Sequence, residues 1–230
     1  MLKTSYKFIF LIIVLAIGTL FFATNKTSGE GAPTFWVTWS ADNYSAPEFL
    51  GKSLPSYNTL INVTFELVQN GKIITLNSQE VIWYLNGVTI KRGLGIKEFS
   101  FRTGLSTGAN LIKIELPNFK GGSSLIKSVE IPVKSPEVIL DSPYTKKAVT
   151  SREINLRALP YYFNATRSGD LSWIWQVNGK TPEGSAKEPN KITIEVPADM
   201  PKGGQILTKI KIINSSKKES AETMALFTIK

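Results

Sequence analysis

At 230 residues the chain is too long for one β-sandwich of about 100 residues and long enough for two with a short leader. Apolar residues make up 42% and charged residues 20% of it, a balance that fills packed cores and excludes a disordered chain. The net charge of +9 arises from 27 basic and 18 acidic residues, spread as singles and pairs rather than as a basic stripe. Nucleic acid is therefore not an expected partner, whereas an anionic envelope surface suits the balance.

Residues 1–7 carry Lys3 and Lys7, and residues 8–23 follow as sixteen uncharged, strongly apolar positions. As a helix this segment would reach ~24 Å, long for a signal-peptide core and short for a typical membrane span. Cleavage after Ala23 would place Phe21 at the position where signal peptidase wants a small residue. The expectation is thus an uncleaved transmembrane or signal-anchor helix over 8–23, with residues 1–7 cytoplasmic because Lys3 and Lys7 precede the span. Cleavage near residue 24 and secretion is the alternative. Residues 24–33 are polar, contain glycine and end in Pro33, as a flexible linker does.

Beyond the linker, short apolar runs alternate with clusters of Gly, Pro, Asn and Ser, which predicts an all-β architecture. Strands are expected over 34–40, 60–68, 80–85, 97–102, 110–116 and 124–133, then over 137–141, 153–159, 171–177, 191–196, 205–213 and 221–229. The two sets superimpose. Trp83, Leu85, Asn86 and Gly87 recur 92 positions later as Trp175, Val177, Asn178 and Gly179, and a period of that size is one sandwich domain rather than a solenoid unit. The expected division is domain 1 over 34–134 and domain 2 over 135–230. The short Pro-containing junction at 134–137 predicts limited freedom between them.

Val81, Trp83 and Leu85 lie on one face of their strand, and Trp173, Trp175 and Val177 on one face of theirs, so each offers large side chains to the space between two sheets. Asn-Gly then supplies residues that tolerate the positive φ of a tight hairpin. In this motif the chain resembles bacterial Ig-like and PKD-like extracellular domains, which share a Trp in the third strand followed by an Asn-Gly or Asp-Gly turn. The resemblance covers roughly 34–230. It implies two tandem Ig-like β-sandwiches without the cysteine pair of antibody-type domains.

The chain has no histidine and no cysteine. This excludes Ser-His-Asp, Cys-His and zinc-hydrolase chemistry, disulfides, and lipid attachment through a thiol. The four Asp and the scattered Glu residues read as solvated surface groups, leaving a carboxylate-based hydrolase as a minor alternative. No loop gathers several carboxylates for calcium. Gly93, Gly95, Gly121 and Gly122 read as turns rather than as a phosphate loop. No catalytic residue, metal or cofactor is therefore expected.

Aromatic residues are the remaining candidates. Trp36 or Trp39 is expected to fill the core from the first strand, with a position at the membrane interface as the alternative for Trp36, Trp39 and Tyr44. Tyr161, Tyr162 and Phe163 cannot all point inward from one strand, so Tyr161 and Tyr162 are the candidate binding residues, able to stack on a sugar or anchor a protein. The sequons at Asn25, Asn43, Asn62, Asn164 and Asn214 read as incidental. Together these features predict a membrane-tethered, extracytoplasmic structural or binding protein that is not an enzyme and whose partner is a protein or glycan of the cell envelope. A secreted or wall-associated polysaccharide-binding module is the alternative.

Overall fold

The computed structural model describes residues 31–182 and 188–230. The apolar segment 8–23, its flanks and all but the last residues of the linker lie outside them. Among the described residues no helix is long and apolar enough to cross a membrane.

The chain divides into a small unit, Met1–Thr34 with Leu67–Ile74, and a large one, Phe35–Glu66 with Thr75–Lys230. In the small unit Val68 and Gln69 pair with Ile73 and Lys72 across Asn70 and Gly71, both at positive φ. There the Gln69 amide donates to the Gly31 carbonyl and the Gly31 N–H donates to Oδ1 of Asn70. The large unit carries the rest of the sheets.

The first half forms β1 (Thr34–Ala41), β2 (Leu60–Gln69), β3 (Lys72–Ile73), β4 (Glu80–Leu85), β5 (Val88–Leu94), β6 (Glu98–Arg102), β7 (Gly108–Leu116) and β8 (Leu125–Val133). One sheet places β2 between β1 and β6, and the other runs β5-β4-β7-β8. The second half forms β9 (Glu137–Asp141), β10 (Ala148–Val149), β11 (Glu153–Tyr161), β12 (Ser172–Val177), β13 (Lys191–Glu195), β14 (Gln205–Asn214) and β15 (Glu219–Ile229). Its sheets run β13-β11-β9 and β10-β15-β14-β12, with β10 parallel to β15. Leaving aside β3, β5 and β10, in each half the first, second and fourth strands make one sheet, and the third, fifth and sixth the other. That is the strand order of Ig-like and fibronectin type III sandwiches.

Period-two patterning explains both cores. In β2, Ile61, Val63 and Phe65 are buried while Asn62 and Thr64 are exposed, because alternate residues face opposite sides of a strand. Phe65 meets Trp83 across the two sheets at a centroid distance of 5.6 Å, and Trp83 meets Phe99 of β6 at 5.7 Å. Trp83 is fully buried. In the second half, Ile154, Leu156 and Ala158 of β11 and Ile192 and Ile194 of β13 pack in one cluster with Trp175, Ile210, Ile212 and Phe227 of the facing sheet.

The repeat extends to individual hydrogen bonds. The Trp83 indole donates to the carbonyl of Ile96 at 3.0 Å, and that of Trp175 to the carbonyl of Pro189 at 2.9 Å. Asn86 has φ 50° and Gly87 φ 83°; Asn178 and Gly179 have 49° and 80°. Oδ1 of Asn86 accepts from the N–H of Leu111 at 2.8 Å, as Oδ1 of Asn178 does from that of Leu207 at 2.9 Å. The Asn is therefore required twice over. It tolerates the left-handed backbone, and its side chain ties the turn to the neighbouring strand.

All twelve expected strands are present, with small shifts at their ends. Three others are added: β3, β5 and β10. The largest, β5, is an edge strand whose residues are almost all exposed. It lacks the buried alternation by which strands are recognised, and Lys91 and Arg92 guard its free edge. Gly93 lies within β5 and is not a turn residue, whereas Gly95 and Gly121, at φ 64° and 75°, are. On β1, Trp39 faces inward and Trp36 outward, 63% exposed.

Candidate functional site

Between β1 and β2 the chain runs through residues 42–59 without regular structure, long for a connection in a compact domain, where about 12–15 residues is already unusual. This segment lies on the second sandwich. The N–H of Tyr44 donates to the carbonyl of Phe163 at 2.7 Å, and that of Ala46 to the carbonyl of Pro160 at 3.1 Å. Tyr44 and Phe163 form an isolated antiparallel bridge. Further along, the N–H of Lys134 donates to the carbonyl of Pro55 at 2.9 Å, and the hydroxyls of Tyr57 and Ser135 share a hydrogen bond of 2.8 Å. The junction at 134–137 is thus fastened to the same segment, and Glu137 belongs to β9.

At the centre of this joint lies a buried polar network. Glu219, at the start of β15, accepts from the Ser56 hydroxyl at 2.6 Å through Oε1. Its Oε2 accepts from the backbone N–H of Asn164 at 2.9 Å and from the Asn214 amide at 3.4 Å. The Asn164 amide donates to the carbonyls of Tyr57 and Asn58, both at 3.1 Å, and the Asn164 carbonyl accepts from the Asn214 amide at 2.8 Å. Ser56 and Asn214 are 0% exposed, Glu219 4% and Asn164 6%. Among the described residues no cation pairs with Glu219, so hydrogen bonds alone compensate its loss of water.

Asn164 and Asn214 are two of the sequon asparagines, and the network engages both through their side chains. Asn43 is similarly engaged, donating to the carbonyl of Leu54.

Tyr161 ends β11, and Tyr162, at φ 63°, turns the chain out of it. Both rings are half-buried. Phe49 of the connecting segment meets Tyr161 edge-on at 5.3 Å and Tyr162 at 6.4 Å. Burial first, then the charge of Glu137 and the neighbouring Tyr161, push the Tyr162 phenol above its usual range. Phe163 is fully buried. The structure thus gathers the two candidate tyrosines at the joint, against an aromatic ring from the other half. Arg157 of β11 pairs there with Glu48 and, at 3.3 Å, with Asp141.

No family model matches the chain, and no curated protein matches it. Among solved structures, three N-terminal domains of the bacteriophage RB49 highly immunogenic outer capsid protein align with a TM-score of 0.45 and 13% identity, over 86% of this chain and 59% of that one. The chain therefore spans less than two thirds of the phage chain. Fibronectin(III)-like modules of Clostridium thermocellum CbhA align with a TM-score of 0.29 and 15% identity, over 84% of this chain and 93% of that one. The central fibronectin-III array of RIM-binding protein aligns with a TM-score of 0.28 and 11% identity, over 83% and 68%.

With no histidine or cysteine in the chain, a catalytic role would fall to carboxylates. Several are held in ion pairs: Glu48 and Asp141 by Arg157, Glu66 by Lys97, Glu115 by Lys113 and Glu222 by Lys209. Among the described residues no group of three or more Asp or Glu could hold a metal ion.

Sequence reasoning missed Ser56, Asn164, Asn214 and Glu219 as a unit. One signal was available: the long gap between the first two strands, which a simple sandwich does not need.

Proposed function

We propose that the protein is a membrane-tethered, non-catalytic component of a cell envelope that holds two Ig-like domains, 34–134 and 135–230, in a fixed mutual orientation beyond the membrane for partner recognition. The observation that carries this reading is the buried Ser56–Glu219–Asn164–Asn214 network between the halves. A joint that only needed flexibility would leave these groups in water, since burying a carboxylate costs several kcal/mol unless it is fully hydrogen-bonded. The basic lead and apolar segment 8–23 support the tether and the orientation, with residues 1–7 cytoplasmic. Tyr161 and Tyr162 enter the proposal as recognition residues at the joint, their rings half-buried against Phe49 but not covered. The partner class is a protein or glycan of the envelope, and nucleic acid is not among the proposed partners.

Capture from envelope extracts by the full chain tests this reading. Wild-type protein should retain a partner that Tyr161→Ala/Tyr162→Ala loses. Equal capture by both rejects the role of the tyrosines, and an intact mass beginning near Thr24 in the membrane fraction rejects the tether.

A further inference from the structure

A cleft of about 340 Å³ opens where the connecting segment crosses β11 and β12. Its walls include Tyr44, Pro47, Glu48, Ser168, Trp173 and Glu188. The size falls at the lower end of small-molecule sites, which run from roughly 300 Å³ upward and favour domain interfaces. Three features define what it can hold. Its apolar walls combine the rings of Tyr44, Trp173, Pro47, Pro160 and Pro189 with the small aliphatic groups of Ala46, Ala158 and Leu159, and the rings offer flat faces. Its polar groups lie among them: two carboxylates, an amide and two hydroxyls. Its carboxylates are paired with cations, Glu48 with Arg157, which also holds Asp141, and Glu188 with Lys191 at 2.6 Å.

A carboxylate already paired with a cation gains little from a second one, yet that of Glu48 keeps lone pairs that accept charge-assisted hydrogen bonds from neutral hydroxyls. A neutral ligand with a flat C–H face and a rim of hydroxyls matches such walls. We infer that the cleft between Tyr44, Glu48 and Trp173 is a binding site for a pyranose sugar. This rests on the fixed joint, because Tyr44, Pro47 and Glu48 supply one wall from the other half of the chain. Neither Tyr161 nor Tyr162 lines the cleft, so the site is separate from the recognition residues above.

The test uses the full chain in a polyoxyethylene ether detergent, since glycoside detergents would compete with the sugars and quaternary-ammonium ones with choline. Methyl β-glucoside, N-acetylglucosamine and choline chloride are titrated while tryptophan fluorescence and saturation-transfer NMR are recorded. The inference predicts saturable binding of at least one sugar and none of choline. Tyr44→Ala and Glu48→Gln should each weaken sugar binding about tenfold or more, with near-ultraviolet circular dichroism unchanged, while Trp36→Ala leaves it intact. Saturation by choline alone, the absence of saturation by either sugar, or binding indifferent to both cleft variants overturns the inference. A spin-label distance distribution on the same sample separates the two failures. A narrow distribution without sugar binding rejects only the cleft, and a broad one rejects the fixed joint on which it rests.

Discussion

The Ser56 hydroxyl donates to a carboxylate oxygen of Glu219 at 2.6 Å across 163 positions of sequence, in a place that solvent does not reach. Removing the carboxylate leaves the N–H of Asn164 and one proton of the Asn214 amide short of an acceptor, and leaves the Ser56 hydroxyl only that of Thr59, at 3.2 Å. Glu219→Ala should therefore destabilise the chain by about 3 kcal/mol. Glu219→Gln should cost only about 1 kcal/mol, because its oxygen can serve Asn164 and Asn214 while its NH2 turns to Ser56, whose hydroxyl can also accept. Chemical denaturation of the three proteins gives both numbers, and equal losses for Ala and Gln would contradict the assignment.

The two Asn-Gly turns should respond alike. Asn86→Ala and Asn178→Ala each place a Cβ-bearing residue at positive φ without the side-chain acceptor for Leu111 or Leu207. Each should cost about 1–2 kcal/mol. Trp83→Ala and Trp175→Ala should each cost about 3–5 kcal/mol, because each empties the centre of one sandwich. Unfolding of the four variants tests whether the repeat is energetic as well as geometric; a pair that differs severalfold would show that it is not.

Alkaline pH should loosen the joint. Burial raises the Tyr44 phenol above its ordinary range against an opposing hydrogen bond from Ser168, with a smaller push from Glu48, and burial likewise raises Tyr162. The unfolded chain then releases these protons first, near pH 10. The stability they contribute is complete below that value and falls as pH climbs toward the folded pKa values. Tyrosinate absorbance should show a late phase to which Tyr44 and Tyr162 contribute. Tyr44→Phe/Tyr162→Phe should diminish that late phase, and a late phase that the double substitution leaves unchanged would contradict the burial described.

Replacing Lys91 and Arg92 of β5 by threonine should expose a bare strand edge and raise self-association, as sedimentation at increasing concentration would reveal. A variant that stays as monodisperse as the wild type would show that the edge needs no guard.

These expectations mark where the fold was legible in sequence. The Trp83 and Trp175 strands stood out because alternation and Asn-Gly turns are local signals, and a repeat doubles them. β5 did not, because an edge strand exposed on both faces has no hydrophobic period to read. The joint was hidden for a different reason. Ser56, Asn164, Asn214 and Glu219 are ordinary polar residues in four separate places, and only the folded chain brings them together. Tyr161 and Tyr162 were singled out for their chemistry, but nothing local revealed that Phe49 would meet them.

The central claim is that this network fixes the orientation of the two sandwiches. Because the chain has no cysteine of its own, Thr89→Cys and Met224→Cys provide two unique spin-label sites, one on each half. Double electron–electron resonance on the full chain should give one narrow distance peak in the otherwise native protein, broadened by Glu219→Ala. A broad distribution before that substitution, or a peak that the substitution leaves unchanged, would contradict the account.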